Sequence, residues 1–339
     1  MNKVVNLRIL TLAGIFILLL TLGLREIAPG PRSAPDYDGM SRGPEVVVHI
    51  ETGMSGSEVG EILEENGIVK SSLAYFRAAV TNPDSQRIAP GEHRIEQRIP
   101  ASEAIEQLLD AERIVNLVRV RDGARVIEIV KELVGAGFKE RDVTQALAEL
   151  SPPADFKLKS LEGFLYPAFY SFPKDTNAID AIGAMVTRFK ESTSDVEWRY
   201  EGFGPDELLI IASLIELEGT PEVFNKVARV IYNRLSRGMK LQFDSTIHFI
   251  KNERGNIALS IAETKIDSKY NTYLYQGLPP GPIGSPTRAA ILAALTPEKG
   301  DWLYFVTVLP GVTRFTSSYD EFLKFKAEYK RNYRNGAFE

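Results

Sequence analysis

The sequence predicts an α+β protein that is attached to a membrane by its N-terminus. Three features predict this: an uncharged apolar run near the N-terminus, two β-turn-α patterns in the first half, and a long apolar helix followed by two short strands in the second half. With 339 residues the chain is too long for one average domain, and at least two folded units are expected.

Composition excludes several classes of function. Hydrophobic residues make up 44% of the chain and charged residues 25%, as in ordinary globular proteins. The net charge of −5 gives no reason to expect a nucleic-acid partner. The chain has no cysteine, which excludes disulfides, thiol nucleophiles and cysteine metal sites. Its three histidines, His49, His93 and His248, are far apart in sequence, so a histidine-rich metal site is not expected.

Residues 9–24 form the apolar run, which contains no charge. Alone the run is slightly short for a spanning helix, which needs ~20 residues. If Arg8 extends its charge towards the interface, the usable span runs from Val4 to Leu24. Positive charge precedes the span, so residues 1–8 are predicted to lie in the cytoplasm and the rest of the chain outside.

A cleaved signal peptide is the alternative interpretation of this segment. No A-x-A-like cleavage site follows the run, where the sequence reads R-E-I-A-P-G-P-R, and this favours an uncleaved anchor. Residues 25–44 are rich in Pro, Gly and Ser and predict a flexible stalk.

Two segments then share one pattern. The first begins at Val46 and the second at Leu117, and each is a short β-rich run, a glycine turn and a helical pattern that ends in glycine. Two units of this kind predict small α+β modules, although any β-turn-α unit has a similar pattern.

The strongest helix pattern runs from Asp206 to Glu218, with Gly219 as its C-terminal stop. Thr220 is predicted to cap the next helix, with Pro221 in its first turn and its end near Ser236. Further along, residues 302–308 and 313–317 predict strands. The tail from Tyr319 predicts a charged amphipathic helix.

Two glutamates lie at the end of the apolar helix, and the helix period separates them. A helix advances roughly 100° per residue, which places Glu216 on the polar side with Ser213 and Asp206 and Glu218 on an apolar side. Lost solvation and the negative end of the helix dipole both raise the pKa of a carboxyl group there. A carboxylic acid that stays protonated near neutral pH suits a general acid. Periodicity thus favours Glu218 as an acid and Glu216 as a supporting or solvated residue, while a plain helix-end glutamate that points to water remains the alternative.

Downstream motifs carry a family resemblance. The stretches N-R-L-S-R-G-M-K-L-Q-F-D-S-T (233–246), Y-N-T-Y-L-Y-Q-G-L-P-P-G-P-I (270–283) and W-L-Y-F-V (302–306) resemble the MltG, or YceG-like, family of endolytic peptidoglycan transglycosylases. L-E-G-F-L-Y-P (161–167) and A-P-G-E-H-R (89–94) extend the resemblance. The layout that it implies is a cytoplasmic N-terminus (1–8), a transmembrane helix (9–24), a stalk (25–44), a small LysM-like β-α module (45–113), a second β-α module with a connecting region (114–200) and a mixed α+β catalytic domain (201–339).

The family motif reads roughly S-I-x-E-K-E-T, and its second glutamate, the catalytic acid/base, falls on Glu218 here. The resemblance implies that this residue protonates the glycosidic oxygen between N-acetylmuramic acid and N-acetylglucosamine. As a carboxylate it then accepts the proton of the muramic acid C6 hydroxyl, which closes on C1 and leaves a 1,6-anhydro end. This chemistry needs no metal or organic cofactor.

The same resemblance implies residues that bind or support the substrate. Sugar-binding residues are expected at Gln242, Asp244, Tyr270, Asn271, Thr272 and Tyr273. Supporting residues are expected at Glu216, Asn233 and Arg234, of which the last two more readily brace a helix pair than touch sugar. A buried turn is the alternative for Y-N-T-Y, and a helix-to-loop brace is the alternative for Gln242 and Asp244.

This sequence departs from the family pattern at several positions, most of them losses of polar groups near the predicted groove. Gly219 and Thr313 replace a usual threonine and histidine, Ala168 and Phe169 replace an Asp-Thr pair, and Phe243 and Ser245 replace Thr and Pro in L-Q-T-D-P-T.

The predicted function is that of a single-pass protein of the inner (cytoplasmic) membrane, which cuts nascent glycan strands internally and limits their length. The resemblance implies work near penicillin-binding proteins and the elongation machinery. A muramidase that uses water, with Asp244 as its second carboxylate, is one alternative. A non-catalytic scaffold that binds peptidoglycan is another, and a secreted soluble protein is the third.

Overall fold

The computed structural model describes residues 34–338 except 52, 174 and 255–258. The predicted anchor at 9–24 lies outside the described residues. No helix within the described part combines the length and apolar content that a membrane crossing requires. Helices and short antiparallel strand pairs make up the described chain, which confirms the predicted α+β class.

The chain divides into two compact units, with the boundary between Ile114 and Val115. The finer division into modules at 45–113, 114–200 and 201–339 stays a prediction.

The first unit packs three helices with one antiparallel strand pair. Strand β1 pairs with β2 so that Val48 lies opposite His93, and the core includes the fully buried Leu63, Ile95 and Ile105. Its elements are β1 (Glu45–Ile50), α1 (Gly56–Glu65), α2 (Ser72–Thr81), β2 (Gly91–Glu96) and α3 (Ala101–Leu109). Its likeness to a LysM module stays a prediction.

The second unit begins with the other predicted β-turn-α pattern, and both patterns therefore form the elements expected of them. Strand β3 pairs with β4, and β5 pairs with β6, in two separate antiparallel pairs. The elements are β3 (Leu117–Val120), α4 (Val126–Gly135), α5 (Glu140–Glu149), β4 (Ala168–Ser171), α6 (Ala178–Ser192), α7 (Pro205–Glu218), α8 (Phe224–Ser236), α9 (Asp244–Lys251), α10 (Arg288–Leu295), β5 (Tyr304–Leu309), β6 (Val312–Thr316) and α11 (Tyr319–Arg334).

Helix α7 lies inside this second unit. Every residue from Leu208 to Ile215 is buried, as expected for a helix that is apolar on all sides. Pro205 occupies its first turn, where a missing N–H has no cost. The polar Ser213 is buried among these residues because its hydroxyl donates to Ile210 O and accepts from Ile283 N. The apolar sequence of α7 thus makes it the helix around which the rest of the unit packs.

Gly219 ends α7, as predicted. A Cβ atom at this position would lie 3.2 Å from Phe224 and from Val227, so glycine allows the following helix to approach closely. The predicted start of that helix at Pro221 is wrong, because α8 begins at Phe224. The intervening residues form a turn that the Val223 N–H closes on Thr220 O at 2.9 Å.

The C-terminal hairpin and helix match their predictions. Helix α11 begins at Tyr319 and packs on the hairpin of β5 and β6. Asn332 donates to Val308 O at 2.8 Å, and Arg314 pairs with Glu328 at 3.2 Å. These contacts join the last turns of the helix to the folded unit.

Leu214→Ala is expected to lower the free energy of unfolding by about 2–5 kcal/mol, the range for truncating a buried leucine. Leu214 is fully buried in α7, whereas Leu323 in α11 is 46% exposed. Guanidinium unfolding of both Leu→Ala variants measures the difference. Equal losses at the two positions would contradict the central place of α7.

Candidate active site

A cleft of about 740 Å³ in the second unit includes Glu218 in its lining. Its walls come from five parts of the chain: Arg125 at the start of α4, the end of α7, helix α9 with the residues after it, Ile283, and the last turns of α11. The cleft therefore joins segments that are more than 200 residues apart in sequence.

Glu218 is the last residue of α7, and its carboxylate contacts the start of α9. Its Oε1 accepts a hydrogen bond from the Ser245 hydroxyl at 2.5 Å and a longer one from the Ser245 N–H at 3.3 Å. The first turn of a helix carries unpaired N–H groups and partial positive charge, and both stabilise a carboxylate. The second oxygen accepts no hydrogen bond from the described residues, which leaves it available to a ligand in the cleft.

Burial raises the pKa of Glu218 to about 7. The charge of Asp244 acts in the same direction, whereas the hydrogen bonds from Ser245 and the charge of Arg234 lower the pKa. A carboxyl group with this pKa is part acid and part carboxylate at neutral pH, so it can both give and take a proton.

Asp244 and Tyr273 lie together beside Glu218. Asp244 is exposed in the cleft lining, and its Oδ1 accepts a hydrogen bond from the Tyr273 hydroxyl. Burial and this carboxylate both raise the pKa of Tyr273, so its hydroxyl stays protonated and acts as a donor. Arg234 is buried behind them and donates to Leu303 O at 2.7 Å and to Leu241 O.

Gln242 has an exposed side chain on a backbone in the left-handed region, with a φ of 51°. This conformation is costly for a residue other than glycine. Two hydrogen bonds hold it: Gln242 N–H to Thr272 O at 3.0 Å, and Phe243 N–H to Thr272 Oγ1 at 3.0 Å. The L-Q-F-D segment is thereby joined to the Y-N-T-Y segment.

The Y-N-T-Y segment is partly interior. Asn271 is buried, with its amide hydrogens on Thr264 O and Ile266 O and its oxygen accepting from Tyr273 N–H. Thr272 is buried as well, and the ring of Tyr270 packs on Phe249 at 4.9 Å. These contacts have the features of a buried turn, and binding of substrate by Tyr270, Asn271 and Thr272 stays a prediction.

Glu216 and Asn233 also bond within the protein. Glu216 Oε2 accepts from the Thr287 N–H at 2.9 Å and from its hydroxyl at 2.6 Å, which ties α7 to the start of α10. Asn233 donates to Trp302 O at 2.9 Å and to Gly300 O at 3.2 Å, joining α8 to the segment before β5. Neither residue belongs to the cleft lining.

Sequence reasoning missed several groups near the cleft. Ser245 entered only as a departure from a family pattern, yet its hydroxyl bonds the carboxylate of Glu218. Glu162 accepts the Val126 N–H at the start of α4, and burial raises its pKa to about 7. Arg254 and the residues of α11 carry no local signal, because only tertiary packing brings them to the cleft. Within the described ranges, no group of three His, Cys, Asp or Glu side chains is placed to hold a metal ion.

The cleft is open, and Glu218 in its lining is a partly buried carboxylic acid with a raised pKa. A site of this class is suited to acid–base chemistry on a bound ligand. The model of the YceG-like family matches residues 48–328 of this chain. The chain therefore belongs to the YceG-like family.

Individual relatives agree with this assignment. An endolytic murein transglycosylase of Bacillus subtilis is 31% identical over 306 residues, which cover 84% of each chain. A protein of the same name from Streptococcus pneumoniae serotype 2 is 29% identical over 323 residues, covering 84% of this chain and 58% of the relative. The crystal structure of a YceG-like protein from Listeria monocytogenes matches with a TM-score of 0.53 at 25% identity, over 83% of this chain and 99% of that one.

Ser245→Ala is expected to raise the pKa of Glu218, because the carboxylate loses the hydroxyl that stabilises its charged form. The pKa can be read from the carboxyl carbon signal of Glu218 in NMR spectra recorded across pH. Ser236→Ala, which removes a hydroxyl that donates to Asn233 O elsewhere in the unit, is the control. An unchanged or lowered pKa in Ser245→Ala would contradict the assigned contact.

Glu218→Gln is expected to stabilise the protein relative to wild type at pH 8 but not at pH 4. The pKa of this group is about 4.5 in an unfolded chain and about 7 in the folded one. The folded state therefore holds a proton that the unfolded state has lost, and wild-type stability falls as the pH rises between these values. For this partly exposed side chain the loss is about 1–3 kcal/mol.

Thermal unfolding of wild type and Glu218→Gln at pH 4 and pH 8 measures this difference. The glutamine keeps an oxygen acceptor for Ser245, so the comparison isolates the charge. A stability difference that does not change with pH would show that burial of the charge has no cost.

Proposed function

We propose that this protein is a lytic transglycosylase that cleaves peptidoglycan strands internally, with Glu218 as its acid and base. The observation that carries the proposal is the carboxyl group of Glu218, with a pKa of about 7, in the lining of an open cleft. Membership of the YceG-like family and the endolytic murein transglycosylases among its relatives support it.

The reaction needs one group that changes protonation state twice. Protonated Glu218 gives its proton to the glycosidic oxygen, and the bond from that oxygen to C1 of N-acetylmuramic acid breaks. The C6 hydroxyl of the same sugar attacks C1, and the Glu218 carboxylate accepts the hydroxyl proton. The products are a 1,6-anhydro end and a free hydroxyl on the other fragment, and the acid is restored.

Ser245 and Arg234 balance the two states of this group. Burial favours the acid that begins the reaction. The Ser245 hydroxyl and the charge of Arg234 stabilise the carboxylate that forms during it. A pKa near the working pH allows both steps at an appreciable rate.

Exposed polar and aromatic side chains bind the sugars. Gln242, two residues before Asp244 in the chain, offers an exposed side-chain amide. Tyr329 and Tyr333 line the cleft from α11, where their rings can stack on sugar faces. Glu216, Asn233 and the turn at Asn271 and Thr272 hold these groups in place through hydrogen bonds within the protein.

A hydrolytic muramidase is the second candidate, and the position of Asp244 favours it. This carboxylate lies in the same cleft, close enough for its charge to raise the pKa of Glu218. A hydrolase needs a second carboxylate to activate water or to act as nucleophile. In this protein Asp244 accepts a hydrogen bond from Tyr273, which suits a residue that orients the substrate.

In the cell, the proposed protein is anchored in the inner membrane by residues 9–24, with both folded units outside the cytoplasm. From there it cuts strands soon after synthesis and limits their length. Penicillin-binding proteins and the elongation machinery are its proposed neighbours.

The test uses the full-length chain in a mild detergent, as wild type and as Glu218→Gln, with un-crosslinked glycan strands. Mass spectrometry of the products is expected to show 1,6-anhydro ends from wild type and a loss of rate of about 100-fold or more in the variant, the range for general acid–base catalysis. Strands that are bound but not cleaved by either protein would favour a non-catalytic scaffold.

Asp244→Asn separates the two catalytic candidates. A transglycosylase keeps making anhydro ends in this variant, because its nucleophile belongs to the substrate. A muramidase makes reducing ends as wild type and loses them when Asp244 is replaced.

A further inference from the structure

Helix α11 contributes one face of its last turns to the cleft. Tyr329, Lys330, Tyr333 and Arg334 all line it, and a spacing of one, four and five residues places their side chains on one side of a helix. Lys330 and Arg334 are exposed. In the part of the chain that the structure describes, neither cation belongs to an ion pair.

The last turns of α11, which carry these two cations, are held in place by several contacts. Asn332 donates to Val308 O at 2.8 Å, and Arg314 joins Glu328 to strand β6. The rings of Tyr329 and Tyr333 both contact Phe338, at 5.4 and 6.2 Å between centroids. The helix therefore presents Lys330 and Arg334 from a fixed position.

The other charges of the cleft are largely paired with protein groups. Arg254 and Arg125 share the carboxylate of Glu128, at 2.7 and 3.0 Å. Glu253 pairs with Lys251 at 2.6 Å. Among the cleft cations that the structure describes, Lys330 and Arg334 are those left for a ligand.

The acidic side chains of the cleft come from parts of the chain far from α11 in sequence, the end of α7 and helix α9 with the residues after it. Glu218 and Asp244 line the same cleft as the two free cations. In a peptide-bearing strand the lactyl carboxyl group of muramic acid is held in an amide bond, so the sugars themselves have no anion to pair with Lys330 and Arg334. The peptides attached to muramic acid do, since they carry free carboxylates.

We propose that Lys330 and Arg334 bind a carboxylate of the peptide stem on the strand that Glu218 cleaves, and so make the C-terminal helix a determinant of substrate choice. This inference rests on the proposed function. Ammonium and guanidinium groups form short, charge-assisted hydrogen bonds with carboxylates. Tyr329 and Tyr333, which line the cleft beside them, offer ring faces to the neighbouring sugar. The site thereby selects strands whose stem peptides are free in the cleft.

The test compares Lys330→Ala/Arg334→Ala with the matched control Lys324→Ala/Arg331→Ala. The control removes one lysine and one arginine from the same helix, both exposed and both outside the cleft lining. Three substrates of equal strand length are used: peptide-bearing strands, the same strands with their peptide carboxylates converted to amides, and strands stripped of peptides by an amidase.

The readout is the ratio of kcat/KM for peptide-bearing strands to kcat/KM for their amidated form. We expect the wild-type ratio to fall by about tenfold in the cleft variant, the size expected for a lost charge-assisted contact, and to stay unchanged in the control. Lys330→Arg/Arg334→Lys keeps both charges and is expected to keep the wild-type ratio. This control distinguishes loss of the charges from a general effect of substituting the two positions. A cleft variant with the wild-type ratio would overturn the inference.

The stripped strands test a second source of the carboxylate, because removal of the peptide frees the lactyl carboxylate of muramic acid. A larger loss on stripped than on peptide-bearing strands would assign the two cations to the lactyl group and overturn the inference as stated.

A measurement of strand binding without cleavage tests the carboxylate site independently of the proposed catalytic function. Fluorescence anisotropy with Glu218→Gln and labelled peptide-bearing strands measures affinity without cleavage. If wild type cleaves no strand, the proposed function fails, but a loss of about tenfold in affinity on adding Lys330→Ala/Arg334→Ala still supports the carboxylate site. An unchanged affinity overturns it.

Discussion

The burial of helix α7 on all sides is the constraint on which the rest of the second unit depends. Leu208 to Ile215 have no exposed face, so neighbouring helices must cover them. Burial of so many large side chains contributes much of the stability of a domain of this size. The helix has a fixed end at Gly219, and this end puts Glu218 at the border between the core and the cleft.

The position of Glu218 near the core makes its ionised form costly for the stability of the folded protein, although acid–base chemistry needs that form. A carboxyl group near the core resists ionisation, and its pKa rises to about 7. Among the residues that the structure describes, none forms an ion pair with Glu218 to offset this effect. Ser245 gives one hydroxyl and one weak N–H contact, and Arg234 acts through its charge from a buried position where its hydrogen bonds go to backbone carbonyls. The group is left able to change its protonation state near neutral pH.

The loops around Glu218 are held by hydrogen bonds within the protein. Thr272 holds the L-Q-F-D segment at two points, and Asn271 satisfies three polar atoms of its own loop. Glu216 joins α7 to α10 through Thr287. Exposed groups such as Gln242 then extend from a rigid frame, and a rigid frame lowers the cost of ordering side chains when a glycan binds.

Local patterns in the sequence determined the α+β class, the ends of α7, the C-terminal hairpin and the start of α11, because helix and strand periods are set by neighbouring residues. They also placed Glu218 and Glu216 on different sides of one helix. The start of α8 was missed by three residues, since a turn after Gly219 competes with the cap expected at Thr220.

Only the tertiary structure decided which groups meet Glu218. Ser245 lies 27 residues away along the chain, and Lys330 and Arg334 are more than 100 residues away, yet all reach the same cleft. The burial of Asn271 and Thr272 was likewise decided by packing, because the polar character of a side chain does not tell whether its partner is a sugar or a backbone carbonyl. Periodicity describes which face of an element is apolar. It holds no information on which distant element covers that face, and the contacts of this site are made between distant elements.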